Sequence, residues 1–166
     1  MTAQPLLVRP AVESDCGLLL DLIRELARFE QLEHEVEARE ADIHAALFGP
    51  QSTAEALIGL VDCQEAGFAL FFTNYSTFAG RAGIYLEDLY VRPAFRRAGL
   101  GRRLLWEVAS IAHFRQCGRM DWSVLAWNSG AIAFYETIGA RILPDWRIAR
   151  LDRAALAKLA SQDHWV

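Results

Sequence analysis

The chain is poor in residues that build covalent or metal-bound frameworks. Its three cysteines, Cys16, Cys63 and Cys117, are odd in number and far apart, so their spacing indicates neither a disulfide framework nor a paired-cysteine metal site. We expect reduced thiols that are mostly buried. The four histidines are equally scattered, and no two have the i, i+4 spacing that places two imidazoles on one helical face. The sequence therefore predicts no bound metal.

An excess of positive charge and long apolar runs are also missing. The formal net charge of -4 does not favour nucleic acid as a partner. Apolar runs such as residues 67–72 are far shorter than a membrane span of about 20 residues, and the N-terminus does not resemble a signal peptide. We therefore expect a soluble, cytoplasmic protein with no membrane partner. Its 166 residues, 53% of them hydrophobic, suffice for a single domain over residues 1–166.

Apolar periodicity and turn residues predict an α/β (α+β) fold around one sheet with helices on both faces. Strands are predicted at 6–9, in two halves of 54–75 joined by a turn at 62–67, and at 84–92, 120–126 and 146–151. Helices are predicted from Ser14 or Asp15 to near Phe29, at 42–48, from the loop at 96–101 up to Gly118, and at 129–138 and 152–160.

Residues 96–101 carry the strongest local signal. This segment follows a predicted strand, contains Gly99 and Gly101, and opens a helix. The first N–H groups of a helix lack partners within it and the helix dipole adds partial positive charge, so such a turn binds anions. The glycines allow a ligand to approach the backbone closely. Four cations surround the turn, namely Arg96, Arg97, Arg102 and Arg103. A phosphate group suits this site.

Other interpretations of this segment stay open. It can be a plain helix entry with solvated arginines. A Walker A phosphate loop requires a Gly-Lys-Ser/Thr ending, which is absent. A dinucleotide fingerprint requires glycine where the chain has Leu104, although Asp121 lies at the expected distance of about 20 residues. Because the segment comes past mid-chain and after antiparallel strands, dinucleotide binding is a minor alternative.

Two ordered motifs resemble one family. Residues 96–101 have the pattern Arg-x-x-Gly-x-Gly of the acetyl-CoA pyrophosphate loop of GNAT superfamily acetyltransferases, and residues 127–140 resemble that superfamily's Asn-x-x-Ala-x-x-Phe-Tyr-x-x-x-Gly segment. Further segments are similar to the spermidine/spermine (thialysine) N-acetyltransferase branch: 8–11, 22–27, 29–30, 85–91 and 146–147. The resemblance covers nearly the whole chain. It implies the GNAT fold, a single central mixed, mostly antiparallel sheet with helices on both faces.

The resemblance also implies acetyl-CoA as the co-substrate and points to residues that would bind it. Backbone N–H groups of Leu89, Tyr90 and Val91 would hold the thioester carbonyl where the strand splays. The pyrophosphate loop would comprise Arg96, Arg97, Ala98, Gly99, Leu100, Gly101 and Arg102. Asn128 would hold the pantetheine or orient its helix, and it can equally cap that helix.

Amide formation from a thioester requires a neutral amine, and an alkyl amine with a pKa of about 10.4 is protonated at neutral pH. Similarity to the branch favours Glu87 as the base, with Asp88 beside it. Strand alternation directs only one of the two to the substrate unless a bulge intervenes. Both can also be ordinary charges on a strand surface. The branch resemblance favours Glu30 for binding a cationic amine, with Glu33 and Glu35 as weaker candidates. Such an acidic run can equally be a solvated face.

Two further residues complete the predicted site. The phenol of Tyr135 is the candidate general acid for the leaving thiolate, and its alternative role is that of a core tyrosine. Ser76 is a candidate substrate-binding residue because Tyr75-Ser76-Thr77-Phe78 is closer to the thialysine enzymes than to the acid-containing loop of the polyamine enzymes. The missing acid weakens the case for a polyamine substrate.

We therefore predict an N-acetyltransferase that transfers acetyl from acetyl-CoA to a primary amine of a small, thialysine-, diamine- or polyamine-like molecule by direct attack in a ternary complex. No cysteine lies in either motif, so an acyl-cysteine intermediate has no obvious nucleophile. The alternatives are a protein or peptide N-acetyltransferase and a non-catalytic acyl-CoA-binding module. The resemblance also implies a homodimer that involves the C-terminal strand near Trp146.

Overall fold

The computed structural model describes residues 5–161 of the chain. The chain divides after Ser123 into two compact units. Among the described residues, the first unit holds all the strands, three α-helices and three short 3-10 helices, and the second holds two short α-helices. Each unit is described by itself below.

The first unit is built on a five-stranded sheet in the order β1-β2-β3-β4-β5. Its strands are β1 (Leu6–Pro10), β2 (Glu55–Val61), β3 (Gln64–Ser76), β4 (Arg81–Val91) and β5 (Met120–Trp122). The first four strands pair antiparallel with their neighbours, and β5 pairs parallel to β4. The prediction of a mixed, mostly antiparallel sheet is confirmed.

Two helices cover one face of this sheet. They are α1 (Cys16–Glu30) and α2 (Glu40–Phe48). Apolar residues recur at helical spacing along α1, and Leu19 and Leu22 are completely buried in a cluster that also contains Phe68 of β3. Burial of such side chains stabilises the fold by about 1.5–3 kcal/mol each. The interface of α1 with the sheet is therefore a main source of stability.

Helix α3 (Leu100–Phe114) covers the opposite face of the sheet. Ile58 of β2 packs in the cluster under α1, so the next residue, Gly59, faces the other way. A Cβ atom added at Gly59 would lie only 2.8 Å from the Leu100 side chain. The absence of a side chain at Gly59 thus brings the first turn of α3 directly against the sheet, and the prediction of helices on both faces is confirmed.

The turn between β2 and β3 is shorter than predicted. Backbone pairing continues up to the residues on either side of Asp62 and Cys63, so these two alone replace the expected turn at 62–67. Their φ angles are 50° and 62°, the left-handed region required by a type I′ hairpin turn. Cys63 is exposed, Cys117 is half-buried and Cys16 is buried, so the expectation of mostly buried thiols is wrong.

The loop between β3 and β4 is also shorter than the gap between the predicted strands at 54–75 and 84–92, because β3 ends at Ser76 and β4 begins at Arg81. At the start of α1, Asp15 occupies the N-cap position, but its carboxylate makes no capping bond to the helix. It accepts hydrogen bonds from the Arg9 guanidinium at 2.6 Å and from the Val12 N–H at 2.8 Å. Asp15 therefore ties α1 to β1.

The chain after β5 differs most from expectation. The strand predicted at 120–126 ends at Trp122, and the strand predicted at 146–151 is absent from the described structure. There Trp146 and Ile148 are 75% and 73% exposed. Apolar residues favour a strand, but a strand also needs a hydrogen-bonded neighbour. The helices of the second unit agree with prediction: they are α4 (Ser129–Thr137) and α5 (Arg153–Ala160).

Across residues 5–161, no helix combines the length and apolar character needed to cross a bilayer.

The β2–β3 turn generates a stability prediction. Cys63→Gly should raise the free energy of unfolding by about 1 kcal/mol, because glycine adopts a positive φ without the steric cost that a Cβ imposes. Urea denaturation followed by circular dichroism measures the change. Cys63→Ala is the control, since it removes the thiol and keeps the Cβ. An equal gain in both variants would assign the effect to the thiol and contradict the prediction.

Candidate active site

Strand β4 loses its neighbour on one edge halfway along its length. Its pairing with β5 ends where Leu86 meets Trp122, while its pairing with β3 continues to Val91. Within the described residues no other strand extends the sheet on that side. Outward-facing N–H and C=O groups of residues 87–91 are thus outside the ladder and suit an extended ligand. Residues 89–91, which the sequence resemblance assigned to the thioester carbonyl, lie in this segment.

A bulge in β4 lies at the start of this edge. Leu70 of β3 pairs with Asp88, whereas the next residue, Phe71, pairs with Leu86, so Glu87 is the additional residue. Glu87 is exposed and Asp88 is half-buried. The bulge interrupts strict alternation, and this is the condition under which both carboxylates can face one ligand.

The carboxyl group of Asp88 has an unusual environment. Burial, together with the negative charges of Glu87 and Glu30, raises the pKa of Asp88 to about 7. Glu30 is the last residue of α1, and its own pKa is raised by burial. The structure thus brings together three of the predicted substrate residues. A carboxyl that titrates near neutrality is typical of functional sites.

The glycine turn begins α3 as predicted. Gly99 is the N-cap residue with a φ of 93°, and Arg97 also has a positive φ of 68°. Gly99 has no side chain with which to cap the helix, so the N–H groups of the first turn can be offered to an anion. A Cβ at Gly101 would lie 3.8 Å from the Val91 side chain, an ordinary contact. Packing within the protein therefore does not require glycine at 101, whereas close approach of a ligand would.

Arg96 is held by the residues behind the turn. Its Nε donates to the carbonyl of Val91 at 2.9 Å. Its guanidinium carbon lies 4.6 Å from the centre of the Phe29 ring and 5.8 Å from that of Tyr90. Phe29 belongs to α1, so Arg96 links the turn to this helix through a cation–π contact.

The other three arginines around the turn are on its outer surface. Arg103 pairs with Glu107 at 2.6 Å and lies over the Trp106 ring at 4.9 Å. Arg97 and Arg102 are exposed. The positive charge around this turn therefore comes from exposed arginines and from the dipole of α3.

Sequence reasoning missed an ion pair beside the turn. Arg92 directly follows β4, and its guanidinium binds Glu25 of α1 at 2.9 Å. The available signal was spacing, because Glu25 and Phe29 share a helical face and Tyr90 and Arg92 share a face of the strand. Spacing within each element did not show that the two faces meet.

Ser76 lies away from these carboxylates. Ser76 is 4% exposed, and its Oγ accepts a hydrogen bond from the Ala79 N–H at 3.2 Å in the β3–β4 turn. Ser76 pairs with Arg81, and at a rise of about 3.3 Å per residue the strand from there to Asp88 spans roughly 20 Å. Within one chain, the structure does not bring Ser76 to Asp88.

The second unit contains the remaining predicted residues. Asn128 caps α4, since its Oδ1 accepts a hydrogen bond from the Ala131 N–H at 3.2 Å. This geometry matches the capping role weighed for Asn128. Tyr135 is 8% exposed, and its ring lies 5.4 Å from that of Phe134.

A central strand with a free edge, a glycine turn at the following helix and a half-buried carboxyl at the start of that edge together suit transfer of a group carried by an extended anionic ligand. Residues 19–140 match the acetyltransferase (GNAT) family, and the chain belongs to this family. It is an acetyltransferase by class.

The relatives refine this assignment. The chain is 36% identical over 168 residues to the thialysine N-epsilon-acetyltransferase of Sus scrofa, and the match covers 94% of this chain and 98% of that protein. It is 45% identical over 97 residues to the L-ornithine N5-acetyltransferase of Arabidopsis thaliana, covering 58% and 42%. An integron cassette protein from the mobile metagenome of V. cholerae has a TM-score of 0.77 at 26% identity, covering 94% and 98%. The predicted family, branch, fold and enzyme class are confirmed.

The environment of Asp88 predicts a pH dependence of stability. Its folded pKa of about 7 exceeds an unfolded value of about 3.9, so the folded state binds the proton more tightly and stability falls as pH rises through this window. Asp88→Asn removes this penalty. Relative to the wild type, its free energy of unfolding should therefore rise by at least about 1 kcal/mol between about pH 5 and pH 8.

Denaturant melts of both proteins at the two pH values measure this difference. Asp21→Asn, which removes an exposed carboxylate from α1, is the matched control. A difference between Asp88→Asn and the wild type that is the same at both pH values would contradict the assigned environment of Asp88.

Proposed function

We propose that the protein is an acetyl-CoA-dependent N-acetyltransferase that transfers acetyl directly to a primary amine of a small molecule. The observation that carries the proposal is the half-buried carboxyl of Asp88 beside a bulge of β4, at the start of the free edge at residues 87–91. An activated acyl group held along that edge would meet a proton acceptor at its end.

Residues of the first unit fit acetyl-CoA in three ways. The free edge of β4 suits the amides of an extended pantetheine arm. The uncapped start of α3 at Gly99, with Arg97 and Arg102 beside it, suits a pyrophosphate. Gly101 has room that packing within the protein does not use. The thioester of acetyl-CoA would supply the activated acetyl group.

Asp88 is the base that burial and charge support best, and Glu87 is the alternative that family resemblance favours. Moving a proton from an ammonium of pKa about 10.4 to an ordinary carboxylate costs about 9 kcal/mol. The same transfer to a carboxyl of pKa about 7 costs about 5 kcal/mol. A difference of this size makes the environment of Asp88 useful for deprotonating the amine.

The remaining steps use groups of the chain at each reacting atom. The amine nitrogen bonds to the thioester carbon, and N–H groups at residues 89–91 stabilise the oxyanion. As the carbonyl re-forms, the C–S bond breaks, the nitrogen of the adduct loses its surplus proton and the thiolate takes up a proton. The sequence resemblance assigns the donation of that proton to the phenol of Tyr135. No enzyme-bound acyl intermediate is required.

The acceptor that we propose carries a primary amine at the end of a short aliphatic chain. Thialysine and ornithine, named in two of the relatives, are such molecules. Glu30, Glu87 and Asp88 place negative charge where a protonated amine would first bind. Amino acids with an ω-amino group fit best, and diamines and polyamines are tested beside them.

A homodimer is part of the proposal. Trp146 and Ile148 expose 75% and 73% of their surfaces, which is unusual for large apolar side chains close together in sequence. A second copy of the chain would cover them, as the sequence resemblance implied for this segment. The apparent mass in solution tests this assembly.

Turnover of acetyl-CoA over an amine panel tests the function and its base. Thialysine, ornithine, lysine, spermidine, a short diamine and a peptide are supplied in turn, and release of free CoA is followed. With the best amine, kcat/KM should rise with pH through about 7 as Asp88 ionises. Asp88→Asn should lower kcat/KM by about 10²-fold or more, and Glu87→Gln should lower it by much less.

The reverse order of these two variants would transfer the role of base to Glu87. Acetylation of the peptide alone would favour a protein acetyltransferase. Acetyl-CoA binding without turnover of any amine would favour a binding module and refute the proposed activity.

Tyr135 is tested by removing only its hydroxyl. Tyr135→Phe should lower kcat by about 10-fold or more while the Kd for acetyl-CoA stays nearly unchanged, because the lost proton donor acts on the leaving thiolate. Calorimetric titration gives Kd and steady-state kinetics give kcat. Phe134→Leu, which alters the neighbouring ring, is the control for packing. Unchanged turnover would remove Tyr135 from the role of acid.

A further inference from the structure

We propose that Glu25 of α1 is a positioning residue that holds the end of β4 and the start of the glycine turn in the geometry that binds acetyl-CoA. This inference rests on the proposed function of the turn. Glu25 belongs to neither acetyltransferase motif, and it contacts the site through Arg92 and Tyr90.

Arg92 directly follows β4, and the short 3-10 helix Pro93–Phe95 connects it to the glycine turn. Its guanidinium is bound by both oxygens of Glu25, with Nη2 to Oε1 at 2.9 Å and Nε to Oε1 and Oε2 at 3.1 and 3.2 Å. Its Nη1 donates to the Glu65 carbonyl at 2.9 Å, and its backbone N–H donates to the Ala66 carbonyl at 2.8 Å. Arg92 is therefore fixed by α1 on one side and by β3 on the other.

Glu25 also reaches the preceding residue on the same face of β4. The Tyr90 hydroxyl donates to its Oε2 at 3.4 Å. Between Tyr90 and Arg92 lies Val91, whose carbonyl accepts the Arg96 hydrogen bond at the free edge. One carboxylate thus holds the two residues that flank the outward-facing backbone of Val91.

One turn further along α1, Phe29 provides a second attachment. Glu25 and Phe29 are four residues apart and share a helical face. The Phe29 ring lies under the guanidinium of Arg96, the first residue of the glycine turn. Helix α1 therefore contacts the segment between β4 and α3 at two residues. Arg92 directly follows β4, and Arg96 begins the glycine turn.

The strength of the Glu25 contact follows from its burial. The side chains of Arg92 and Glu25 are 30% and 25% exposed, so the pair is screened less than a surface ion pair. A two-pronged guanidinium contact also restricts orientation, which a single hydrogen bond does not. Loss of Glu25 would leave Arg92 bonded to β3 but would remove its attachment to α1.

A merely structural ion pair would have a different signature. It would contribute to the free energy of unfolding and leave ligand binding unchanged. The chain contains a matched example, the two-pronged pair between Arg115 and Glu55 with distances of 2.6 and 2.7 Å, which touches neither β4 nor the turn. Glu55→Gln is therefore the control for general loss of stability.

The experiment compares wild type, Glu25→Gln, Arg92→Lys, the double variant Glu25→Gln/Arg92→Gln and Glu55→Gln in the full chain. Acetyl-CoA Kd is measured by calorimetry, and KM for acetyl-CoA, KM for the amine and kcat are measured at steady state. Glu25→Gln should raise Kd and KM for acetyl-CoA by about tenfold, with little change in amine KM, because small misplacement of a binding segment is costly. Amide hydrogen exchange at residues 92–101 should become faster.

Arg92→Lys keeps the charge and loses the fork, so it should raise Kd by a smaller factor. The double variant should bind acetyl-CoA no more weakly than Glu25→Gln, because both changes remove the same contact. Glu55→Gln should leave Kd, KM and exchange at residues 92–101 unchanged.

Two results overturn the inference separately from the function. If the wild type binds and turns over acetyl-CoA and Glu25→Gln has the same Kd for acetyl-CoA as the wild type, the ion pair is structural only. Should Glu25→Gln not fold, an unchanged Kd in Arg92→Lys leads to the same conclusion. If the wild type binds no acetyl-CoA, the proposed function fails first, and the inference falls with it.

Discussion

The hydrogen bonds that β4 does not make on one edge are the constraint from which the candidate site follows. In the described part of the chain β5 is only three residues long, so its pairing with β4 ends at Leu86. Beyond this point β4 keeps its ladder with β3 and turns the other edge outward. The bulge at Glu87 lies at this transition, and the glycine turn follows at the end of the strand. A ligand with amide groups can complete the ladder there.

The charges around this edge reduce the stability of the folded protein. Each charge that acts on Asp88 is negative, and burial adds to the cost of ionising it. A cationic amine would supply the missing opposite charge. The turn beyond Val91 has the opposite character, because Arg97, Arg102 and the start of α3 favour an anion. The two ends of one strand segment are therefore suited to the two partners of a transfer between an amine and a phosphate-bearing acyl donor.

Helix α1 supports both ends. Its apolar residues pack on the sheet, and its last turns present Glu25, Phe29 and Glu30 to β4 and the glycine turn. Glu30 lies with Glu87 and Asp88, Glu25 pairs with Arg92, and Phe29 contacts Arg96. Packing of one helix thus links the carboxylate cluster and the glycine turn, and it does so through residues outside the glycine motif.

Features that depend on contiguous residues were predictable from sequence. The glycine turn at 96–101, the helix after it and the order of strands follow from local backbone preferences, because φ at Gly99 and apolar spacing in α3 are properties of neighbouring residues. The family was also predictable, because each of the two motifs that resemble it is a contiguous stretch of residues. The absence of the strand predicted at 146–151 shows where such prediction fails. Apolar residues in that segment favour a strand, but they do not supply a neighbouring strand with which to pair.

Only the tertiary structure decided which distant residues meet. The bulge at Glu87 depends on the register between β3 and β4, and the environment of Asp88 depends on where α1 ends at Glu30. The distance of Ser76 from Asp88 and the pairing of Glu25 with Arg92 have the same origin. By itself the sequence determined most of the helices and strands and the glycine turn before α3. Burial and strand register are long-range properties, so the site around that motif was decided by packing.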